Sequence, residues 1–391
     1  MTVHRTSRPQ QIVMLLENFT YPQDTRVRNE AESLAGAGHK VTVVAPRGPR
    51  QAAREHLRGV DVLRYRTVWA NRSPWSYALE YGVAHAQLLG RSLGAILRGA
   101  RTMHFNGPPD TLAIATVAMR MAGGRVVYDM HDSGPELLEA KFGSSAGSSV
   151  LRAAQRMAIG SADQVIVTNE TQRELVYERS PRSRSPQVTV VRNGPRFAEF
   201  PDPPAGRPGE LAAPNLVYVG TLDVQDGVLD LPEIMSAPEL SAANLTIVGE
   251  GAARAELVAR CHGMGLAERI AFTGQVPHEH VAGLIAEADI ALDPAPGTDL
   301  NEGSTMIKIA EYLGCGRPVV AYDLRETRRT AGDAALYASD GNTQEFVELI
   351  AALARDGERR LTLGRLARER AAELSWERSE QALLDVYERL G

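Results

Sequence analysis

Short apolar, β-branched runs recur along the first half of the chain with amphipathic stretches between them: IVMLL at 12–16, VTVVAP at 41–46, VDVLRY at 60–65, TMHF at 102–105, RVVYDM at 125–130, QVIVTN at 164–169 and VTVVRN at 188–193. Runs of this length without strict alternation predict strands buried on both faces of a parallel sheet. Residues 1–200 are therefore expected to form a doubly wound α/β domain. The stretch FAEFPDPPAGRPGELAAP, Phe197 to Pro214, is rich in Pro and Gly and reads as an interdomain linker. The rhythm then restarts with LVYVG at 216–220, LTIVG at 245–249, RIAFTG at 269–274, IALDP at 290–294 and PVVAY at 318–322. A second α/β domain of similar size is expected over 210–375. From about Thr343 the pattern is helical, and residues 376–391 predict a last helix with Leu383, Leu384, Val386, Tyr387 and Leu390 as apolar positions.

At 391 residues the chain exceeds what one hydrophobic core usually serves, which agrees with two domains. A formal charge of −5, with acids and bases interspersed, gives no electrostatic case for nucleic acid. Only five consecutive apolar residues precede Glu17, too few for a signal-peptide core or a membrane span, so a cytoplasmic protein is expected. The segment Trp75–Gly99 is apolar enough to touch a lipid surface; it reads as a helix packed on the sheet, with peripheral contact at the inner membrane face left open. Two cysteines, Cys261 and Cys315, offer neither a disulfide framework nor a metal set, and no metal or other cofactor is expected.

Candidate chemistry centres on LNEGSTMIKIAEYLGCGRPVVAYDL, Leu300 to Leu324. Helical spacing puts Ser304, Lys308, Glu311 and Cys315 on one stripe and Met306, Ile309, Ala310 and Leu313 on the other. Ser304 is the expected N-cap, Gly314 or Gly316 the stop, and Pro318 forbids continuation. An exposed Lys–Glu pair would be worth only about 0.2–0.5 kcal/mol. The context argues for more. The chain has just three lysines, Lys40, Lys141 and Lys308, and this one follows a strand end, where open parallel sheets bind ligands. First-turn amides near Thr305 and Met306 suit a diphosphate. Lys308 would add charge to it, and Glu311, one turn on, could accept hydrogen bonds from a ribose.

This helix and its sequel EYLGCGRPVVAYD resemble the nucleotide-sugar site of family-4 glycosyltransferases with the GT-B fold. The resemblance continues in order through PQDTRVRNEAESLAGAGHKVTVVAP at 22–46, YDMHDSGPEL at 128–137, ADQVIVTNE at 162–170, LVYVGTLDVQDGV at 216–228, LTIVGEG at 245–251 and IAFTGQVPHEHV at 270–281. It implies two Rossmann-like domains facing across a cleft, the first holding the acceptor and the second the donor, with the last helix returning to the first domain. The implied reaction transfers a sugar from a nucleotide-diphosphate sugar to a glycan, glycolipid or small-molecule acceptor, with retention. Glu311 would bind the donor ribose, Gly220 would let the backbone approach the phosphates, and turns at Gly249 and Val276 would shape the base pocket.

The chain departs from the family pattern in two places. The first of two glutamates often found in such sites would fall on Gly303, with Glu302 one position away. Thr221 and Asp226 stand where phosphate-binding cations are common, so Arg26 and Lys308 are expected to supply the charge. His131, at the end of a first-domain strand, is the candidate to touch the transferring sugar or acceptor, with Asp129 on its face of the strand. Asp24 reads as a helix cap, with acceptor binding as its second role. Other readings are a silent nucleotide-sugar or glycan-binding subunit and a GT-B epimerase. An NAD enzyme is argued against because Arg254 breaks the glycine fingerprint in GEGAAR at 249–254.

Overall fold

The computed structural model describes residues 8–66, 74–142, 146–181, 186–196, 200 and 206–391. The chain divides into two compact units, one of residues 1–192 with 379–391 and one of residues 193–378.

The first unit is built on eight strands: β1 (Gln11–Leu15), β2 (Lys40–Pro46), β3 (Arg54–Leu57), β4 (Val60–Tyr65), β5 (Thr102–Gly107), β6 (Arg125–Met130), β7 (Gln164–Val167) and β8 (Gln187–Val190). Their order is β3-β4-β2-β1-β5-β6-β7-β8, parallel except for the antiparallel β3–β4 pair. The central strands β5, β6 and β7 are buried almost throughout, as their unbroken apolar runs require, whereas edge strand β3 is largely open and edge strand β8 half-buried. One face of the sheet carries the helices Pro74–Leu97, Thr116–Met121 and Ala146–Ser161, whose Leu88, Ile96, Met119 and Ile159 join Val13, Leu15, Phe105 and Tyr128 in a single core. The last helix, Trp376–Leu390, fastens to this unit through Tyr387: its hydroxyl meets His104 Nδ1 at 2.7 Å and its carbonyl accepts from Gln10 at 3.0 Å.

The second unit holds β9 (Asn215–Val219), β10 (Asn244–Val248), β11 (Ile270–Gly274), β12 (Ile290–Asp293), β13 (Val319–Tyr322) and β14 (Ala335–Ala338) in the order β11-β10-β9-β12-β13-β14, all parallel. Alternate residues face opposite sides, so Leu216 and Tyr218 enter one core while Val217 and Val219 enter the other. In both sheets the chain reverses direction beside its first strand, between β1 and β5 and between β9 and β12. The carboxyl ends at such switch points are where doubly wound sheets bind ligands.

Strands β3 and β14 were absent from the sequence reading. Both lie at sheet edges, and neither REHL nor ALYA carries a β-branched run. Part of the expected linker, residues 197–199 and 201–205, lies outside the described residues. Its second half is not free: Arg360 donates to the carbonyls of Arg207 and Gly209, and Leu211 N donates to Ala354 O, which ties this segment to the second unit.

Candidate active site

In the second unit the helix Ile307–Gly314 is set by one side chain. The Tyr312 hydroxyl accepts from Val219 N at 2.8 Å and donates to Leu292 O at 3.1 Å, pinning the helix across the ends of β9 and β12. Lys308 and Glu311 are both buried, each 7% exposed, so the solvent-exposed pair is ruled out. Lys308 does not turn to Glu311. Its Nζ donates to Asp293 Oδ1 at 3.1 Å, to the Tyr218 hydroxyl at 3.4 Å and to Asp226 Oδ1 at 3.5 Å. Burial disfavours an ammonium here, but Asp293, Tyr218 and Asp226 outweigh it and hold Lys308 charged. Burial also pushes the Glu311 carboxyl up to about 7, against the pull of Lys308. Gly220 closes the arrangement: at φ +150°, a Cβ on it would meet Lys308 Cε and the Tyr218 hydroxyl at 3.1 Å.

The remaining donor-site expectations divide. Ser304 is not the cap of this helix. Residues Asp299–Gly303 form a short helix of their own, capped by Thr298, and the Ser304 hydroxyl is taken by Leu300 O at 2.7 Å. Met306 occupies the N-cap position and gives no side-chain cap bond, so the first-turn amides begin at Ile307. Thr305 and Met306 are half-buried beside it. Thr221 is exposed, with its carbonyl accepting from Tyr218 at 2.9 Å. Gly249 N donates to Gly274 O at 3.0 Å in the neighbouring strand-end turn, and Val276 packs on the core. Glu302 accepts from Arg325 N at 2.8 Å and so helps start the helix Arg325–Ala331.

The first unit has a second buried charge cluster at its switch point. His131 follows β6, with 19% of its side chain exposed, and its Nε2 lies 2.9 Å from Asp129 Oδ2 and 3.2 Å from Asn106 Oδ1. Asn106 in turn donates to Leu15 O at 2.9 Å, linking β5 to β1. Burial lowers the imidazole pKa, but Asp129 reverses the sign and the net shift is upward. Arg26, expected as a phosphate ligand, faces inward instead. Its guanidinium grips Asp129 at 2.7 and 2.8 Å, lies 3.3 Å from Glu30 and donates to Val191 O at 2.7 Å. Reaching a phosphate would strip the fully buried Asp129 carboxylate of its counterion, so Arg26 is a brace for the carboxylate that holds His131. Asp24 caps the helix Thr25–Gly36 by accepting from Val27 N at 3.0 Å.

Glu30, His104 and Asp129 are grouped closely enough to offer a metal three ligand atoms. The cation there is already Arg26. Desolvation and the neighbouring Asp129 raise Glu30 well above the usual carboxylate range, while Arg26 and His131 overcome burial to keep Asp129 well below it. Sequence reasoning missed Glu30, Asn106, His104, Tyr218 and Asp293. The strand-end rule could have found Asn106 and Asp293, and the i,i+4 spacing from Arg26 could have found Glu30.

Two family models match. One described as "Glycosyl transferase 4-like domain" covers residues 23–194, and one described as "Glycosyl transferases group 1" covers residues 213–356. A GDP-mannose-dependent alpha-(1-6)-phosphatidylinositol dimannoside mannosyltransferase of Mycobacterium tuberculosis is 33% identical over 174 residues, which are 43% of this chain and 42% of that protein. The alpha-D-kanosaminyltransferase of Streptomyces kanamyceticus is 24% identical over 405 residues, covering 93% of this chain and 99% of the relative. Among solved structures, sucrose-phosphate synthase from Thermosynechococcus elongatus aligns with a TM-score of 0.75 at 19% identity over 97% of this chain and 99% of that one. HepE of Anabaena, in complex with UDP and glucose, aligns with a TM-score of 0.73 at 15% identity over the same shares. The structural matches establish a shared two-domain GT-B fold.

Proposed function

The chain belongs to the family-4 glycosyltransferases of the GT-B fold, and from that premise we propose that it moves a sugar from a nucleoside-diphosphate sugar to a saccharide, glycolipid or small-molecule acceptor, with retention at the anomeric carbon. The observation that carries this reading is the buried Lys308–Glu311 helix, pinned by Tyr312 over the β9/β12 switch point, with Gly220 allowing Lys308 and Tyr218 to pack against the end of β9. Lys308 and the first amides of its helix would stabilise charge on the departing diphosphate, the largest contribution expected of the protein in such a step. Glu311, as carboxylate, would take the ribose hydroxyls. As the sugar–phosphate bond breaks, the acceptor oxygen bonds to the same face of the anomeric carbon and its proton passes to the leaving phosphate. His131, its pKa raised by Asp129 and its ring held between Asp129 and Asn106, would contact the sugar or acceptor hydroxyls.

The test is turnover by the purified chain on UDP-, GDP-, dTDP- and ADP-sugars, read as release of the diphosphate with and without simple glycoside acceptors. Release from one donor, lost in Lys308→Ala, supports a transferase. Tight diphosphate binding without release from any donor would favour a second reading, a silent nucleotide-sugar-binding subunit; the carboxylate of Asp226 where a cation was expected speaks for that alternative.

We further propose contact with an anionic lipid surface. Among the described residues no helix is long and apolar enough to cross a membrane. Yet the outer surfaces of three neighbouring segments on one sheet face expose Leu93, Leu97, Val117, Met121, Val150 and Met157. Residues 82–109, 111–128 and 147–162 carry seven arginines and no acid, in a chain that is acidic as a whole. Arg120, Arg125 and Arg152 are paired with Asp163 or Glu139, which leaves Arg91, Arg98, Arg101 and Arg156 as the basic excess around the apolar patch, and an apolar patch with a basic excess suits acidic headgroups. Co-sedimentation with phosphatidylglycerol vesicles but not with phosphatidylcholine vesicles, reduced by Leu97→Glu with Met121→Glu, is the expected result. Equal failure with both vesicles would remove the contact.

A further inference from the structure

Three carboxylates lie around or beside the cation of the second-unit site, and one of them is placed differently from the others. Asp293 ends β12, is 1% exposed, and holds Lys308 at 3.1 Å. Glu311 lies a turn along the helix. Asp226 comes from outside the sheet, on the loop after β9, with 16% of its side chain exposed and its Oδ1 3.5 Å from Lys308 Nζ. That separation is longer than the roughly 2.7–2.9 Å of a tight charge-assisted bond. Asp226 is thus the weaker and more open of the two carboxylates on Lys308.

Its position is built into the fold. Gly227 follows Asp226 at φ +70°, and a Cβ there would fall 1.8 Å from Pro294 O, so only glycine permits this approach of the two loops. Asn301 locks the same junction, donating to Gln225 O and to Pro296 O at 2.8 Å each. The short 3₁₀ turn Val224–Asp226 is held against the end of β12 from both sides, with its carboxylate aimed at Lys308.

We propose that Asp226 is a resident anion in the phosphate subsite: it occupies the open side of Lys308 and must be displaced or neutralised before a ligand phosphate can take its place. This rests on the reading of Lys308 as the diphosphate ligand and adds to it a determinant of affinity. Lys308 and Asp293 already cancel, so the group carries a net negative charge while Asp226 is ionised and none when it is not. An incoming diphosphate then meets like-charge repulsion in a partly desolvated site, where screening is weak. Burial raises the Asp226 carboxyl above its ordinary value, Lys308 pulls it down, Asp293 and Asp223 push it up, and the Tyr218 hydroxyl also faces the group. Asp226 therefore filters ligands by charge, admitting a diphosphate only at reduced affinity compared with a site lacking the carboxylate.

The experiment is titration calorimetry of UDP, GDP, dTDP and ADP, with each parent nucleoside as the uncharged control, against wild type, Asp226→Asn, Asp226→Ala and Lys308→Ala, with thermal melts to confirm folding. Both Asp226 variants should bind the preferred diphosphate about tenfold more tightly at low ionic strength, with the gain shrinking as salt rises and with nucleoside affinity unchanged. Tenfold corresponds to about 1.4 kcal/mol. Unchanged or weaker binding in both folded variants, while Lys308→Ala abolishes it, overturns the proposal and leaves the donor site standing. An equal gain for the nucleoside makes the effect one of space and overturns the charge filter. Diphosphate binding that survives Lys308→Ala intact, or that no folded variant shows at all, overturns both.

Discussion

Each unit sets a buried cation between two carboxylates beside its switch point, yet the two clusters are constructed for opposite ends. Arg26 meets Asp129 through two short bonds, and the side chains of Asp129 and Glu30 are wholly inaccessible. Lys308 reaches Asp293 and Asp226 at 3.1 and 3.5 Å, and Asp226 is partly open. A planar guanidinium fork locked to a buried carboxylate is a fixed strut. A flexible ammonium with one loose partner can exchange that partner for a ligand. The difference points to a structural role for Arg26 and, on the proposed function, leaves binding to Lys308, although both stood as phosphate ligands on sequence grounds alone.

The largest effect that could break this contrast is in stability. Arg26→Ala strands the buried Asp129 carboxylate and should cost about 3–5 kcal/mol, as removal of one partner from a buried pair typically does. Arg26→Lys should recover only part of it because the two-pronged grip is lost. Denaturant unfolding of the two variants measures this. A loss under about 1 kcal/mol in Arg26→Ala would show that the cluster is not a strut.

An intermediate effect concerns Glu311. Its carboxyl is raised from 4.5 to about 7 by burial, so the native state holds this proton more tightly than the unfolded chain. The carboxyl is therefore neutral in both states below pH 4.5, and its burial opposes folding progressively as pH rises from 4.5 to 7. Glu311→Gln should gain stability relative to wild type across that window and keep the gain above it. Melting curves from pH 5 to 8 test the trend; a difference independent of pH would place the Glu311 pKa outside it. Because a ribose would favour the carboxylate, diphosphate affinity in wild type should rise with pH up to about 7 and then level off.

Much of this was legible in the chain, for physical reasons that also explain the omissions. Buried parallel strands announce themselves as short unbroken apolar runs, which is why the central strands of both sheets were evident and the polar edge β3 was not. Lys308 and Glu311 were legible because helical spacing and the strand-end rule are local. Partners are not local: Arg26 and Asp129 lie 103 residues apart, and nothing in the sequence states that they meet. Ser304 misled because a good capping residue lies between two helices, and the short turn before it, capped by Thr298, claims its hydroxyl.

The smallest effect sharpens the first-unit side. Tyr387→Phe removes the 2.7 Å bond to His104 and should cost about 0.5–1.5 kcal/mol without moving diphosphate affinity. A change in that affinity would mean that the strut and the binding site are not separate.

The most direct measurement of the central claim is a thermal-shift panel of wild type and Lys308→Ala with UDP, GDP, dTDP and ADP at saturating concentration. Ligand at 100 times its Kd stabilises by about 2.7 kcal/mol. The account predicts that one diphosphate raises the melting temperature of wild type by a few degrees and leaves Lys308→Ala unmoved. A panel in which no diphosphate stabilises wild type, or in which both proteins shift equally, would contradict it.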